Sequence, residues 1–539
     1  MLRKEKKQLT FYSVLYDKIP KDHILKKIDE AVDFSFVNEL LKESYCENFG
    51  RPAKEPELMM RISFLQYIYN LSDVRVKEEA ECNLAYLWFL GLNPEDKLPD
   101  ASLLAKFRTQ RLKENTLDDV LTEIVRQCVE KGIIKGGGIN IDATHIEANC
   151  VKKVPERMMR HLARRIFSGL EEDLTEVPDS VDTNIPDVAN INDHKEAKRI
   201  LKEYLLKVID QAEAAGGEKT KTAVSEARDI LSDEKFLVQK GVRSLVDKDA
   251  RVGYKSKTDN FFGYKAEYMM TADERIITAV DAHSGEYTDG IDFDALLERT
   301  LKSGAPVEEL YGDKAYFRKD ILDKVEEIGA ESYIPVSESA YRINEERFSY
   351  NKDSDQWFCF MGNHTVSKKY KVKTQTDGYT RNIYSYKFDK AGCIGCVHRK
   401  ECMGSQTGKA RMLDLSASTP LFYEHSQRQK EPEFIEKYAA RASVEWKNGE
   451  MKRFHGMRRA RGFGIQGVRT QVKLTAIAVN LKRIANILIE IDKGTNSGKN
   501  IAYKFYFLVK TAFCSLYSAI LRKSAAVCNY ADFRIDTVR

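Results

Sequence analysis

The sequence predicts an α+β multidomain protein, with an all-helical N-terminal domain ahead of a core of strands and helices that carries a helical insert and a Cys-containing β-rich insert. Three observations predict it. Apolar residues recur at helical spacing from residue 30 to about 130. Gly136-Gly137-Gly138 then breaks the chain, and the pattern changes to alternation. After that break, strand-like and helix-like stretches follow one another to about Ile491, interrupted by a helical stretch at 155–240 and an aromatic, polar stretch at 337–425.

Each element has a local reason. In PELMMRISFLQYIYNLSD, Leu58, Ile62, Leu65 and Ile68 fall on one helical face; Pro52 and Pro56 precede the helix. Ser72 and Asp73 offer a cap for the next helix, and Pro99-Asp100 marks a turn before the one containing Phe107 and Arg108. INIDATHI alternates, with Ile139, Ile141 and Ala143 opposite Asn140, Asp142 and Thr144. Ile200, Leu201, Leu205, Val208 and Ile209 form a stripe that Gly216-Gly217 breaks and Val224, Ala227 and Leu231 resume, which predicts a helical hairpin. Residues 261–282 read as two strands joined at Thr271–Glu274. A helix from Phe293 to Leu301, a strand ending at Tyr311-Gly312-Asp313, a further helix and the strand SYIPV (332–336) follow. Residues 431 to about 491 read as helical and basic. The expected boundaries are 1–130 for the helical domain, 131–336 with 426–492 for the core, 155–245 and 337–425 for the inserts, and 493–539 for a tail.

Composition excludes several classes. A chain of 539 residues that is 42% hydrophobic can bury two to four cores. The net charge of +5 is too small for a field over the whole molecule to attract nucleic acid, so local clustering has to. Ten cysteines in this length make no disulfide scaffold; Cys46, Cys82, Cys128, Cys150, Cys514 and Cys528 stand alone, as in a reducing compartment. MLRKEKKQLT has no apolar run after its charges, so no signal peptide is expected. Lys510 interrupts the apolar stretch near 505–521 and leaves less than the roughly 18 residues of a membrane span. A soluble cytoplasmic protein with no membrane partner is expected. No G-x-x-x-x-G-K-S/T loop is present, so no nucleotide cofactor is expected either.

The most specific signal lies near the C-terminus. Tyr438, Arg441, Glu445 and Lys452 stand at offsets that, at about 100° per residue, place them within about 60° on one helix. One carboxylate is thus flanked by cations. Surface ion pairs account for such a pattern at a few tenths of a kcal/mol; a metal-binding Glu beside phosphate-binding cations accounts for it functionally. The context favours the second reading. From Arg441 to Arg483 eleven Lys or Arg face two acids, and the run, which includes Arg458, Arg459 and Arg461, is interleaved with glycines where a phosphate chain can approach. Glu450 is a rival acid, but it lies about 140° from Glu445 around the helix.

This Y-x2-R-x3-E-x6-K spacing resembles the signature of bacterial insertion-sequence transposases of the DDE type. Asp142-Ala143-Thr144 resembles the context of that family's first catalytic acid. Gly312-Asp313-Lys314-Ala315-Tyr316 resembles the context of its second. GRPAKEPELMMRISFLQYIYNLSD, WFLGL at 88–92 and PDASLLAKFR at 99–108 resemble its leading domain, and DKDARVGYKS (247–256) with FFGYKAEY (261–268) the approach to its second strand. The resemblance implies a ribonuclease H-like mixed-sheet core with Asp142 and Asp313 on neighbouring strands and Glu445 on a packing helix, the three being the catalytic acids. These would hold two Mg²⁺ (or Mn²⁺) ions, Asp142 shared and the others holding one each. Hard oxygen ligands suit such ions, and a pair about 4 Å apart clamps the attacking and leaving oxygens of an in-line displacement. It further implies DNA contacts from Tyr438, Arg441 and Lys452, binding of terminal inverted repeats and target DNA, and a homodimer on DNA. The compartment it implies is the bacterial cytoplasm, at the nucleoid. Two other readings stand beside it: a catalytically idle DNA-binding derivative, and a structure-specific nuclease of the same fold. Strand-end hydrogen bonding for Asp142 and a helix cap for Asp313 would explain either acid alone. His145 and Glu147 are left out of the expected site.

Cys393 and Cys396 form a C-x2-C pair, with Cys402 after and Cys359 before. Four thiolates, or three with His398, would suit a structural Zn²⁺; four reduced thiols in an aromatic insert suit the same pattern. Trp357 in this insert is expected to pack in a core.

Overall fold

The structure, a computed structural model, describes residues 10–46, 53–238, 241–256, 258–374, 380–404 and 408–496. Among these described residues, seven α-helices from Ile24–Ala31 to Thr116–Glu130 build the N-terminal region. Its caps are local: Pro56 opens one helix, the Ser72 side chain accepts from the Arg75 amide, and the Asn83 side chain accepts from the Ala85 and Tyr86 amides. The helix Pro56–Ile68 buries more than the predicted stripe, since Met59, Met60, Phe64 and Tyr67 are also inside. The reason is tertiary: the 32-residue helix Ile465–Asn496 packs against it and fills the same core with Val468, Val472, Ile477 and Leu481.

Six strands form the central sheet: β1 (Gly138–Glu147), β2 (Arg251–Tyr254), β3 (Asn260–Thr271), β4 (Ile277–Ser284), β5 (Glu309–Tyr311) and β6 (Glu331–Tyr333). The order is β2-β3-β1-β5-β6, with β4 also on β3. β1 runs antiparallel to β3 and parallel to β5, which is parallel to β6. The meander β1-β3-β4 thus turns into a parallel edge. β6 stops at Tyr333, short of the predicted 336, because Pro335 has no amide to donate.

The first insert is not a hairpin but three helices, Pro155–Leu174, His194–Ala215 and Glu218–Ser232, around their own core. Met158, Met159, Leu162, Ile166 and Leu170 give the first helix a buried face, and both predicted helices pack on it. The second insert holds β7 (Phe348–Asn351) with β8 (Gln356–Cys359), and a three-stranded sheet of β9 (Thr365–Thr374), β10 (Thr380–Phe388) and β11 (Met412–Ser416), order β11-β10-β9. Trp357 is fully buried among the rings of Tyr350, Tyr386 and Tyr423, as a core residue.

The helical stretch expected over 431–491 consists of several segments. Pro432–Tyr438, a 3-10 turn at Ala439–Ala442, Ser443–Phe454 and Ile465–Asn496 follow one another. Gly456 (φ 70°) and Gly464 (φ 78°) supply the left-handed backbone at the break. The chain between them docks on the end of β1: the Glu147 amide donates to the Arg458 carbonyl (3.0 Å) and the Ala460 amide to the Glu147 carbonyl (2.8 Å). Among the described residues no helix is long and apolar enough to cross a membrane. The apolar stretch near 505–521 lies outside the described residues.

Candidate active site

Register brings the first two acids together. β1 and β5 pair in parallel with Asn140 opposite Tyr311, so two residues further on Asp142 and Asp313 leave neighbouring strands side by side. Asp142 is buried on the strand, whereas Asp313 stands just past β5, where its carboxylate caps the following turn by accepting from the Ala315 amide at 2.8 Å. The capping role and the placement beside Asp142 therefore coexist in one residue.

The third element crosses this strand end. Asn140 Nδ2 donates to Ser443 Oγ (3.2 Å) at the start of the helix Ser443–Phe454, which carries Glu445 in its first turn. The Arg441 guanidinium lies between the aspartates: Nη2 is 3.0 Å from Asp142 Oδ1 and 3.9 Å from Asp313 Oδ2. Asn448, one turn beyond Glu445, donates to Asp142 Oδ2 at 2.8 Å and accepts from the Tyr268 hydroxyl at 3.0 Å. Burial pushes the Asp142 carboxyl up to about 6. Asn448 and Arg441 pull it down, and the charges of Asp313 and Glu445 push it up. The two remote acids thus act on Asp142 through space. Among the described residues no group of three or more His, Cys, Asp or Glu side chains is set to hold a metal ion. The cation that stands between Asp142 and Asp313 here is Arg441.

Lys452 lies further along the same helix, with Nζ 3.3 Å from His145 Nδ1. Burial, then the charge of Lys255, lowers its ammonium to about 8; burial and Lys452 lower His145 to about 4, so the imidazole is neutral and accepts. Tyr438 ends the preceding helix, half-buried and stacked on Phe434. Glu450 is held by Lys447 at 2.9 Å and takes no part. Arg458 and Arg459 are exposed. Arg461 is exposed too, and its guanidinium also donates to the Leu71 carbonyl (3.2 Å) and Asn70 Oδ1 (2.6 Å) and covers the Tyr67 ring, so it links the core to the N-terminal helices.

Sequence reasoning missed three residues around the centre. Asn448 is one. His145, set aside as structural, is the partner of Lys452. The third is Glu267, fully buried on β3, which accepts from the Tyr316 hydroxyl (2.9 Å), the Tyr287 hydroxyl (2.8 Å) and the Gly290 amide (2.7 Å). Through Tyr316 it anchors the turn that Asp313 caps. A signal for Glu267 existed, since it is the one acid in the apolar run FFGYKAEYMM. Asn448 had none, because an Asn on a basic helix reads as solvated.

Cys359, Cys393, Cys396 and Cys402 line one cavity of about 40 Å³ together with His398. All four are free thiols. Asn363 Nδ2 is 3.2 Å from the Cys393 sulfur, and His398 pairs with Glu401 at 3.3 Å. Burial pushes the Cys402 thiol up, with smaller contributions from the other three cysteines.

The sheet brings two aspartates to adjacent strand ends, under a helix bearing an acid and several cations. Comparison with known families adds two matches. Residues 13–110 match the family described as Transposase domain (DUF772), and residues 358–485 match Transposase DDE domain. Together the two matches support an insertion-sequence DDE transposase, and the second implies an enzyme of transposition. The second match includes Glu445; Asp142 and Asp313 lie outside both.

Proposed function

We propose that the chain is a DNA transposase that binds the terminal inverted repeats of its element, cuts DNA at their ends and joins them to target DNA. Its catalytic carboxylates would be Asp142, Asp313 and Glu445, in a ribonuclease H-like core at 131–336 and 426–492. The observation that carries this reading is that Asp142 and Asp313 leave adjacent strand ends on either side of Arg441, where the charge of Glu445 is also felt at Asp142. The order β4-β3-β1-β5-β6, antiparallel on one side of β1 and parallel on the other, supports the fold reading.

The donor chemistry fits divalent magnesium or manganese. Three carboxylates offer hard oxygens, and Asp142, raised chiefly by burial and further by the charges of Asp313 and Glu445, has Arg441 as its cation. Asp142, Asp313 and Glu445 would hold the ions, which supply a polarised phosphate and an activated water or 3′-hydroxyl. Asn448 fixes one Asp142 oxygen, and Glu267 fixes the turn of Asp313. Arg441 would exchange its aspartate partners for a DNA phosphate, and Tyr438 would border the terminal phosphate. Lys452, with Arg458 and Arg459, would hold the strand. The N-terminal helices would read the terminal repeat, and a homodimer would bring two ends together. The Cys cavity would take a structural Zn²⁺; one zinc per purified chain supports that, and none removes it.

Supercoiled plasmid carrying the terminal repeats, incubated with Mg²⁺, tests the main reading. Cut and joined products are expected. Cutting without joining would indicate a structure-specific nuclease, and binding without cutting an idle derivative. Asn448→Ala leaves Asp142 Oδ2 and the Tyr268 hydroxyl without their partner, so a 10- to 100-fold loss of cleavage, with a higher Mg²⁺ requirement, is expected by about the scale of outer ligand supports. Unchanged cleavage would remove Asn448 from the centre. Lys452 loses its charge as pH rises through about 8, whereas ordinary lysines stay charged to about 10. DNA affinity should therefore fall between pH 7 and 9 by up to roughly tenfold per pH unit above that pKa. Lys452→Ala should flatten the profile, and an equal profile in both proteins would refute the contact.

A further inference from the structure

We infer that the outer face of the β9–β10–β11 sheet, with the cleft beside it, is a second docking surface for duplex DNA, remote in sequence from the acids. The inference rests on the reading that this chain handles DNA. Register defines the face. Tyr384 and Tyr386 of β10 pair with Tyr370 and Lys368 of β9; Tyr386 is buried in the insert's core with Trp357, and Tyr384 packs against it. The alternate residues therefore point away: Lys369, Lys371 and Lys373 on β9, and Lys387 on β10 beside Met412 of β11. Asp414 is the carboxylate among them, at 3.1 Å from Lys373 and 3.9 Å from Lys371. Lys369 and Lys387 make no ion pair among the described residues. Past Lys387 the face runs into a cleft of about 540 Å³ lined also by Lys390, Lys409 and Arg411.

Two features favour a phosphate backbone over a merely solvated face. Same-face lysines on a strand repeat about every 6.8 Å, twice the roughly 3.4 Å axial rise per phosphate of one DNA strand. Lysines also protect exposed edge strands from pairing, and β9 is an edge. That purpose does not explain Lys387 on the central strand β10, or Lys390 and Lys409 in the cleft, where there is no strand edge to protect. Charge complementarity therefore extends across strands and into a concave surface, as a polyanion requires.

The test is the salt dependence of binding of the full chain to a random-sequence duplex. Replacing Lys369, Lys371, Lys373 and Lys387 together by Gln should make the slope of log K against log salt shallower by about two to four units, at about 0.9 for each phosphate no longer neutralised. Replacing the same four by Arg should restore it, which separates lost charge from lost folding. Equal slopes for wild type and the Gln variant overturn the proposal, as does a loss confined to single-stranded RNA of the same length. Plasmid cleavage by the wild type identifies which reading failed. Cleavage with equal slopes removes this surface and leaves the transposase. A slope difference without cleavage keeps the surface and sinks the enzyme.

Discussion

Glu445→Gln is expected to bind DNA as the wild type does and to lose cleavage by about 10³-fold or more. Removing one carboxylate from a metal-assisted centre forfeits several kcal/mol of charge stabilisation, and each 1.36 kcal/mol is about tenfold in rate. The side chain is exposed in the first turn of Ser443–Phe454, so the amide replaces the acid without disturbing a core. Its charge is felt at Asp142, so the substitution should also lower the Asp142 carboxyl slightly. Labelled terminal-repeat DNA, scored for binding by mobility shift and for nicking on a denaturing gel, reads both effects. Normal nicking by this variant would show that Glu445 is not the third acid.

Asp118→Ala is expected to destabilise the chain by about 3–5 kcal/mol, because it strands a buried cation. Asp118, on the helix Thr116–Glu130, pairs with Lys473 of the long C-terminal helix at 2.6 Å, with both side chains buried. Arg299, on the helix Phe293–Lys302, approaches the same carboxylate at 3.3 Å. One acid thus joins the N-terminal helices, the core and the C-terminal helix. Replacing the pair by Asp118→Leu with Lys473→Met should recover most of the loss, since apolar residues of similar volume often equal a buried ion pair. Midpoints of denaturant unfolding measure both variants. A cost under about 1 kcal/mol for the single substitution would contradict the burial of Lys473.

The two results address different layers of the molecule, and they differ in how legible each was. Glu445 was singled out by spacing, since one helical face over about three turns carries the acid and its flanking cations. That reasoning assumed a single helix from Tyr438 to Lys452. The 3-10 turn at Ala439–Ala442 departs from that helix, yet Arg441 still reaches Asp142. Asp142 and Asp313 were placed by strand alternation and by their local contexts. That they stand side by side depends on the parallel pairing of β1 with β5, which no periodicity encodes. The Asp118–Lys473 pair was invisible, because its partners are read as separate solvated charges until two helices remote in sequence bury them.

The same division holds for the inserts. Glycines and stripes located the helical insert but missed that Pro155–Leu174 completes it as a three-helix unit. The basic run after Glu445 was visible as composition, and only the fold showed that Arg461, exposed like Arg458 and Arg459, also bonds to Asn70 and Leu71 of the N-terminal region.

The sequence by itself determined most helical and strand segments and their breaks at glycine and proline, and singled out Glu445 with its flanking cations as a candidate. These follow from local periodicity, capping and backbone freedom, which act over a few residues. Only the tertiary structure decided which strand lies beside which, which charges are buried, and that Asn448, His145 and Glu267 support the centre. Those outcomes come from burying apolar faces and pairing polar groups between segments far apart in the chain, and no local pattern carries that information.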